Sequence, residues 1–392
     1  MKRKLNILAG DTALWVIFVL LSGISLIAVY STIGLSAITN MASTPMHVFF
    51  RHLGMVAATY VVVIIMSHIN FRYFSRPSLW LYFISIVLLI LVLVLDDQKR
   101  WLDLPVLPAF QPSEIAKVVL LVFTARNITL SRDRLDEKGT FYLLLVPVVV
   151  ITVLVAPSNL SMGLLIFFSC YMLIFFGGVN REMWWRGLAL ILTFTVVAFV
   201  FFYYFGDKIN FLRTSTWGHR LQNWFHSNPD ELTQENMAKM AVARGGLFFH
   251  NGIGTTIHGR LMTQAHNDFI FAIIIEEAGS LAGAFIFALY AWFYFRCIRI
   301  ANRCRVFFGS LCVAGIGTMI FLQAVIHMSV ALGVLPVTGQ TLPFISYGGT
   351  AYVFMGMGIG VIQAVAADNK RQQRLAAQGD VEVRSKNNEV EK

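Results

Sequence analysis

The chain has 392 residues, of which 57% are hydrophobic and 13% charged, with a formal net charge of +10. A soluble domain of this length needs far more polar surface than that. The balance excludes an ordinary water-soluble enzyme, and it ties the basic excess to membrane topology rather than to nucleic acid.

The first element follows a basic start, "MKRK", and is an apolar run from about Leu14 to Ile33. It is too long for a cleaved signal core and is expected to remain as an anchor. Further runs follow at roughly 50–69, 78–96, 112–130, 140–156, 161–178, 183–205, 269–296, 306–333 and 349–367. Each is close to the ~20 residues that cross a bilayer as a helix. Lipid cannot satisfy exposed backbone, so every span must be helical. The expected fold is an all-α polytopic membrane protein with about ten transmembrane helices. The domain 1–367 would be followed by a polar, charged and disordered cytoplasmic tail, 368–392.

Short loops rich in Arg and Lys alternate with loops nearly free of them. Arg72 and Arg76, then Arg126 to Lys138, Arg181 and Arg186, and Arg296 to Arg305 mark the basic side. The positive-inside rule places that side, and both termini, in the cytoplasm. The four cysteines, Cys170, Cys297, Cys304 and Cys312, lie in spans or on the basic side, so no disulfide framework is expected. One long outer loop, 206–267, precedes the eighth span and carries Arg213, Arg220, Arg244 and Arg260. Loops of that length are usually functional.

Three stretches place polar groups where lipid would not tolerate them. In "FQPSEIAK", Glu114 and Lys117 share a helix face near the outer end of the fourth span. They form either a structural ion pair or part of an anionic-substrate site. In "AHNDFIFAIIIEEAG", Asp268 stands at the junction of the long loop and the eighth span. It either caps the helix or faces a lipid-linked substrate. Glu276 and Glu277 follow about 12 Å deeper along a continuous helix, a depth at which acids are paired or functional. In "LPVTGQTLPFISYGG", Pro336, Gly339, Pro343, Gly348 and Gly349 rule out an ordinary span. That segment is expected to be re-entrant or surface-lying beside a site. His327 reads as a packed helix residue, and no His, Cys and Asp spacing specifies a metal site.

These three stretches, in this order and with this span count, resemble the SEDS family (shape, elongation, division and sporulation) over residues 11–367. The resemblance leans to the division branch (FtsW) and next to the elongation branch (RodA). It implies a glycosyltransferase that polymerises lipid II into glycan strands and releases undecaprenyl pyrophosphate. The family's catalytic acid falls on Asp268, its acid and base on Glu114 and Lys117, and its Arg-Trp pair on Arg100 and Trp101. Arg220 matches a loop pattern in "RLQNWFHSNP", and Gln234 a loop glutamine. With Arg213, Arg244, His266 and Ser346 these make the expected substrate-binding set, while Glu276, Glu277 and the Pro and Gly positions of 336–349 take structural or coupling roles.

The chain departs from the family at Gln264 and Asn267 and in "APSNLSMG", which lacks the usual aspartate. The resemblance further implies a class B penicillin-binding protein and other divisome proteins as partners, no nucleic acid, and the bacterial cytoplasmic membrane at the septum as location. A divalent cation, magnesium or manganese, is compatible with Asp268, but no closed ligand set specifies one. The alternatives are a lipid II flippase and a non-catalytic scaffold.

Overall fold

The structure, a computed structural model, describes residues 8–39, 45–95, 101–102, 110–205, 224, 233–248, 252–258, 262 and 267–390. Among them the elements are helical: α1 (Thr12–Thr39), α2 (Pro45–His68), α3 (Pro77–Leu95), α4 (Pro112–Leu130), α5 (Lys138–Val155), α6 (Leu160–Phe176) and α7 (Arg181–Phe205), then α8 (Gln234–Arg244), α9 (Ile270–Ala278), α10 (Ser280–Arg303), α11 (Phe307–Ala331) and α12 (Thr350–Val390). The described part of the long loop includes α8 and two segments, 245–248 and 252–258, together called the strap.

Seven described helices are long and apolar enough to cross a membrane, and α6 is a shorter apolar helix. The chain is a multi-pass membrane protein. Helix α4 is not in that set, because it carries Glu114, Lys117 and Arg126 in 19 residues. It is instead largely enclosed: it packs on α3, α5, α6, α11 and α12, and most of its side chains are buried. Intramembrane charge is placed here, facing the bundle interior rather than lipid.

Helix packing in lipid depends on close approach, and small residues permit it. Helix α12 lies along α2 through Gly356 and Gly360, where a Cβ would run into Thr59 Cγ2 and stand 2.6 Å from Met66 Cβ, respectively. At the start of α1, the Asp11 backbone N–H donates to Gln363 Oε1 (2.7 Å) and the Asp11 carboxylate pairs with Arg296. The start of α1, the end of α10 and the middle of α12 therefore share one face. Helix α12 runs on to Val390, past the boundary at 367 where the sequence reading begins a disordered tail. No proline interrupts that stretch, and its Ala, Gln, Arg and Lys residues are good helix formers.

The expected eighth span, 269–296, is two helices. Gly279, at φ 84 and ψ 168, ends α9 and precedes α10. This backbone region is essentially restricted to glycine. A Cβ there would also stand 2.8 Å from the Leu247 and Phe248 carbonyl oxygens of the strap. Glu276 and Glu277 thus lie in the last turn of α9, ahead of the candidate span Ser280–Arg303, and not deep in a continuous helix. Gly279→Ala is expected to destabilise the folded protein by more than the ~1–3 kcal/mol of backbone strain alone, read as a lowered thermal midpoint in detergent. A midpoint equal to the parent's would show that the break does not depend on glycine.

Candidate active site

The segment between α11 and α12 contains no regular helix, yet Gln340, Leu342, Phe344, Ile345 and Ser346 are buried. Irregular backbone at membrane depth must have its polar groups satisfied by protein. Here every carbonyl from 340 to 345 has a donor. His327 Nδ1 donates to Gln340 O (2.8 Å) and Gln323 Nε2 to Thr341 O (2.9 Å). The Ile345 and Ser346 amides donate to Leu342 O, and the Tyr290 hydroxyl donates to Pro343 O. The Tyr352 hydroxyl donates to Phe344 O (3.2 Å), and Ser25 Oγ to Ile345 O (2.8 Å). Helices α1, α10, α11 and α12 thus grip one loop. Gly339 (φ 62) and Gly349 (φ 50) adopt left-handed backbone near its ends, and so does Phe344 (φ 62) within it.

Two connections lead from this loop to the other two signature stretches. Lys117 Nζ lies 2.6 Å from Glu114 Oε2 and donates to Gln323 Oε1 at 3.0 Å. Since Gln323 also donates to Thr341 O, the ion pair is joined to the loop by one side chain. On the other side Ser346 Oγ accepts from Leu342 N (2.8 Å) and donates to Asn267 O (2.8 Å). That holds the residue directly before Asp268. Asp268 itself is half-buried in the turn that leads into α9. A carboxylate is thereby fixed at the rim of the bundle, with a buried ammonium linked to the same loop.

Glu276 and Glu277 anchor the strap. Glu276 accepts from Arg244 Nη1 (3.1 Å), His258 Nδ1 (2.9 Å), the Ile257 and His258 amides (3.1 and 3.3 Å) and the Thr256 hydroxyl. Glu277 accepts from the Ser31 hydroxyl and from Gly254 N (3.0 Å). Burial pushes both carboxyls up. At Glu276 the bonds from Thr256, His258 and the Ile257 amide outweigh it and hold the group below its ordinary value, whereas Glu277 stays raised. Arg244, read in the sequence as a substrate ligand, has Glu276 as an internal partner. Gln234 opens α8, whose N-cap is Thr233. Pro336 and Gly348 sit at the two ends of the gripped loop.

The structure therefore brings Glu114, Lys117, Ser346 and the Asp268 turn into one connected network. It sets Arg244, Glu276 and Glu277 in a second one that holds the strap. Arg100, Arg213, Arg220 and His266, and the variant position Gln264, fall outside the described residues. Sequence reasoning missed Gln323 and Tyr290, and took His327 for simple packing. The available signal was Gln323 and His327 at i, i+4 in an otherwise apolar helix, one polar stripe on α11. Among the described residues no group of three or more His, Cys, Asp or Glu side chains is placed to hold a metal ion.

Ser346→Ala is expected to leave Leu342 N–H and Asn267 O unpaired, a cost of about 1–3 kcal/mol for a buried group. Because it releases the turn before Asp268, kcat should fall more than KM changes. A variant with the parent's kcat would separate the loop from the chemistry.

Comparison with known proteins bears on this arrangement. The FtsW/RodA/SpoVE family profile, described as "Cell cycle protein", matches residues 11–371. The chain belongs to this family. A peptidoglycan glycosyltransferase MrdB from Escherichia coli K12 is 28% identical over 330 residues, covering 82% of this chain and 86% of that protein. A probable peptidoglycan glycosyltransferase FtsW from Hydrogenovibrio crunogenus is 30% identical over 368 residues, covering 89% and 91%. Among solved structures, the chain resembles one described as "Structural coordination of polymerization and crosslinking by a peptidoglycan synthase complex" (TM-score 0.71, 23% identity, 92% of this chain and 99% of that one). It also resembles the rod shape determining protein RodA of Thermus thermophilus (TM-score 0.63, 23% identity, 92% and 98%). The fold is that of the SEDS proteins, and the protein is a peptidoglycan glycosyltransferase of this family.

Proposed function

We propose that this SEDS glycosyltransferase polymerises lipid II on the outer face of the cytoplasmic membrane, with Asp268 as general base and undecaprenyl pyrophosphate as leaving group. The observation that carries the reading is the chain of contacts from Glu114 and Lys117 through Gln323 to the 340–346 loop, and from Ser346 to Asn267 beside Asp268. An acceptor sugar hydroxyl has a pKa far above neutral and needs a base within hydrogen-bond reach. The half-buried carboxylate of Asp268 supplies one. As the bond to the anomeric carbon forms, the pyrophosphate leaves with its electron pair, and nearby cations stabilise the developing charge. Lys117 is the described candidate; Arg100, Arg213 and Arg220 are candidates from the sequence.

The flippase alternative relied on Glu276 and Glu277 as steps of a path through the membrane. Both precede α10 and are engaged by the strap, which supports the polymerase reading instead. The loop motif "TGQTLP" favours the division branch, with a class B penicillin-binding protein as partner at the septum. Rescue of a strain depleted of its division polymerase, set against one depleted of its elongation polymerase, tests the branch. The function itself is tested by incubating the detergent-purified chain with lipid II and resolving glycan strands on a gel, with and without that partner. Absence of strands under both conditions would overturn it.

A further inference from the structure

Helices α4 and α11 meet antiparallel: Lys117, in the second turn of α4, bonds Gln323, in the last third of α11. Ser113 stands four residues before Lys117 and His327 four after Gln323. Both steps run about 6 Å towards the same end of the bundle and stay on the facing sides. At that level the structure leaves a set of polar atoms unpaired. Ser113 Oγ, His327 Nε2 and both amide atoms of Gln340 are buried and have no hydrogen-bond partner among the described residues. Ser113, His327 and Gln340 are 4%, 1% and 2% exposed, so bulk water does not serve them.

Buried polar groups are paired in nearly all folded proteins, and an exception calls for a reason. These atoms are held in place. Gln340 O is fixed by His327 Nδ1, and in the neutral ring that bond leaves Nε2 as a bare acceptor. The Gln340 amide offers two donor hydrogens and one acceptor, and Ser113 offers a hydroxyl that does both. The set is uncharged, and it lies one turn outward of the Lys117 ammonium.

We infer that Ser113, His327 and Gln340 form a subsite for the neutral sugar of the substrate, one that reads hydroxyl and acetamido groups, while the pyrophosphate lies on the charged side, towards Lys117. The inference rests on the lipid II reading above and adds the part of the molecule that these residues recognise. Order along the bundle supports it: a lipid-linked sugar carries its pyrophosphate nearer the lipid and its sugar further out. The unpaired atoms belong to the closed, substrate-free arrangement. The sugar enters between the start of α4 and the 338–341 segment and supplies the missing partners.

The experiment uses the full chain in detergent with two probes, lipid II and sugar-free undecaprenyl pyrophosphate. Gln340→Met keeps length and volume but removes the amide, and Ser113→Ala is the second variant. Because each change deletes an unpaired group, the thermal midpoint should equal or exceed the parent's. KM for lipid II should rise about tenfold, the effect of ~1.4 kcal/mol, with a smaller change in kcat. Binding of undecaprenyl pyrophosphate should be unchanged. An unaltered KM in both variants, a lowered midpoint with parallel losses, or equal weakening of both probes would overturn the subsite. A parent that binds lipid II but makes no strands would overturn the polymerase reading. In that case the two binding measurements still decide the subsite.

Discussion

Asp268→Asn is expected to abolish glycan polymerisation in the purified protein, with a loss of about 10²–10⁴-fold, the range typical of general acid–base groups. The substitution keeps the size and most of the hydrogen-bonding shape of the side chain and removes its basicity. Asp268 is half-buried in a turn, before N-cap Phe269 of α9, so the folded state should tolerate an amide there. Elution volume and thermal midpoint should match the parent's, which separates loss of chemistry from loss of fold. Lipid II binding should persist, because the remaining contacts to the substrate are intact. A variant that polymerises at a rate close to the parent's would remove Asp268 from the chemistry.

Breaking the Glu114–Lys117 pair should damage the fold as well as the activity. Lys117 is 0% exposed and Glu114 3%, at a separation of 2.6 Å. Removing either partner from a buried pair leaves an uncompensated charge, which costs about 3–5 kcal/mol. Lys117→Ala further releases Gln323 Oε1, and with it the hold on the Thr341 carbonyl. Glu114→Ala and Lys117→Ala should therefore each lower the thermal midpoint and the polymerisation rate. The double variant should be less harmful than the sum of the two, with a coupling of about 0.5–3 kcal/mol. Strictly additive effects would show that the two side chains act independently, and the pair would then have no place in the site.

Much of the fold was legible because a bilayer permits few solutions. Long apolar runs must be helices, so the boundaries of α2 to α6 and of α11 fall within a few residues of those read from hydropathy. The division of 269–296 into α9 and α10 was not legible. Apolar residues continue on both sides of Gly279, and a single glycine inside an apolar run is compatible with an unbroken helix. Its φ of 84 answers to the strap carbonyls packed against it, which come from residues more than 30 positions earlier. The misplaced depth of Glu276 and Glu277 follows from that one break. Their partners, Arg244, Thr256, His258 and Ser31, are remote in sequence and share no periodicity with them.

The sequence by itself determined the membrane class, the helical nature of the spans, the three polar stretches and the acids within them. These depend on composition, run length and motif order, all local properties of the chain. Only the tertiary structure decided which stretches meet. Gln323 is 206 residues from Lys117 and 18 from Thr341, and it joins both; Ser346 is 79 residues from Asn267 and holds it. Such bonds arise where a non-helical loop must be satisfied inside a bundle, and the choice of donors depends on which helix faces surround it. That arrangement is a property of packing, and no spacing along the chain encodes it.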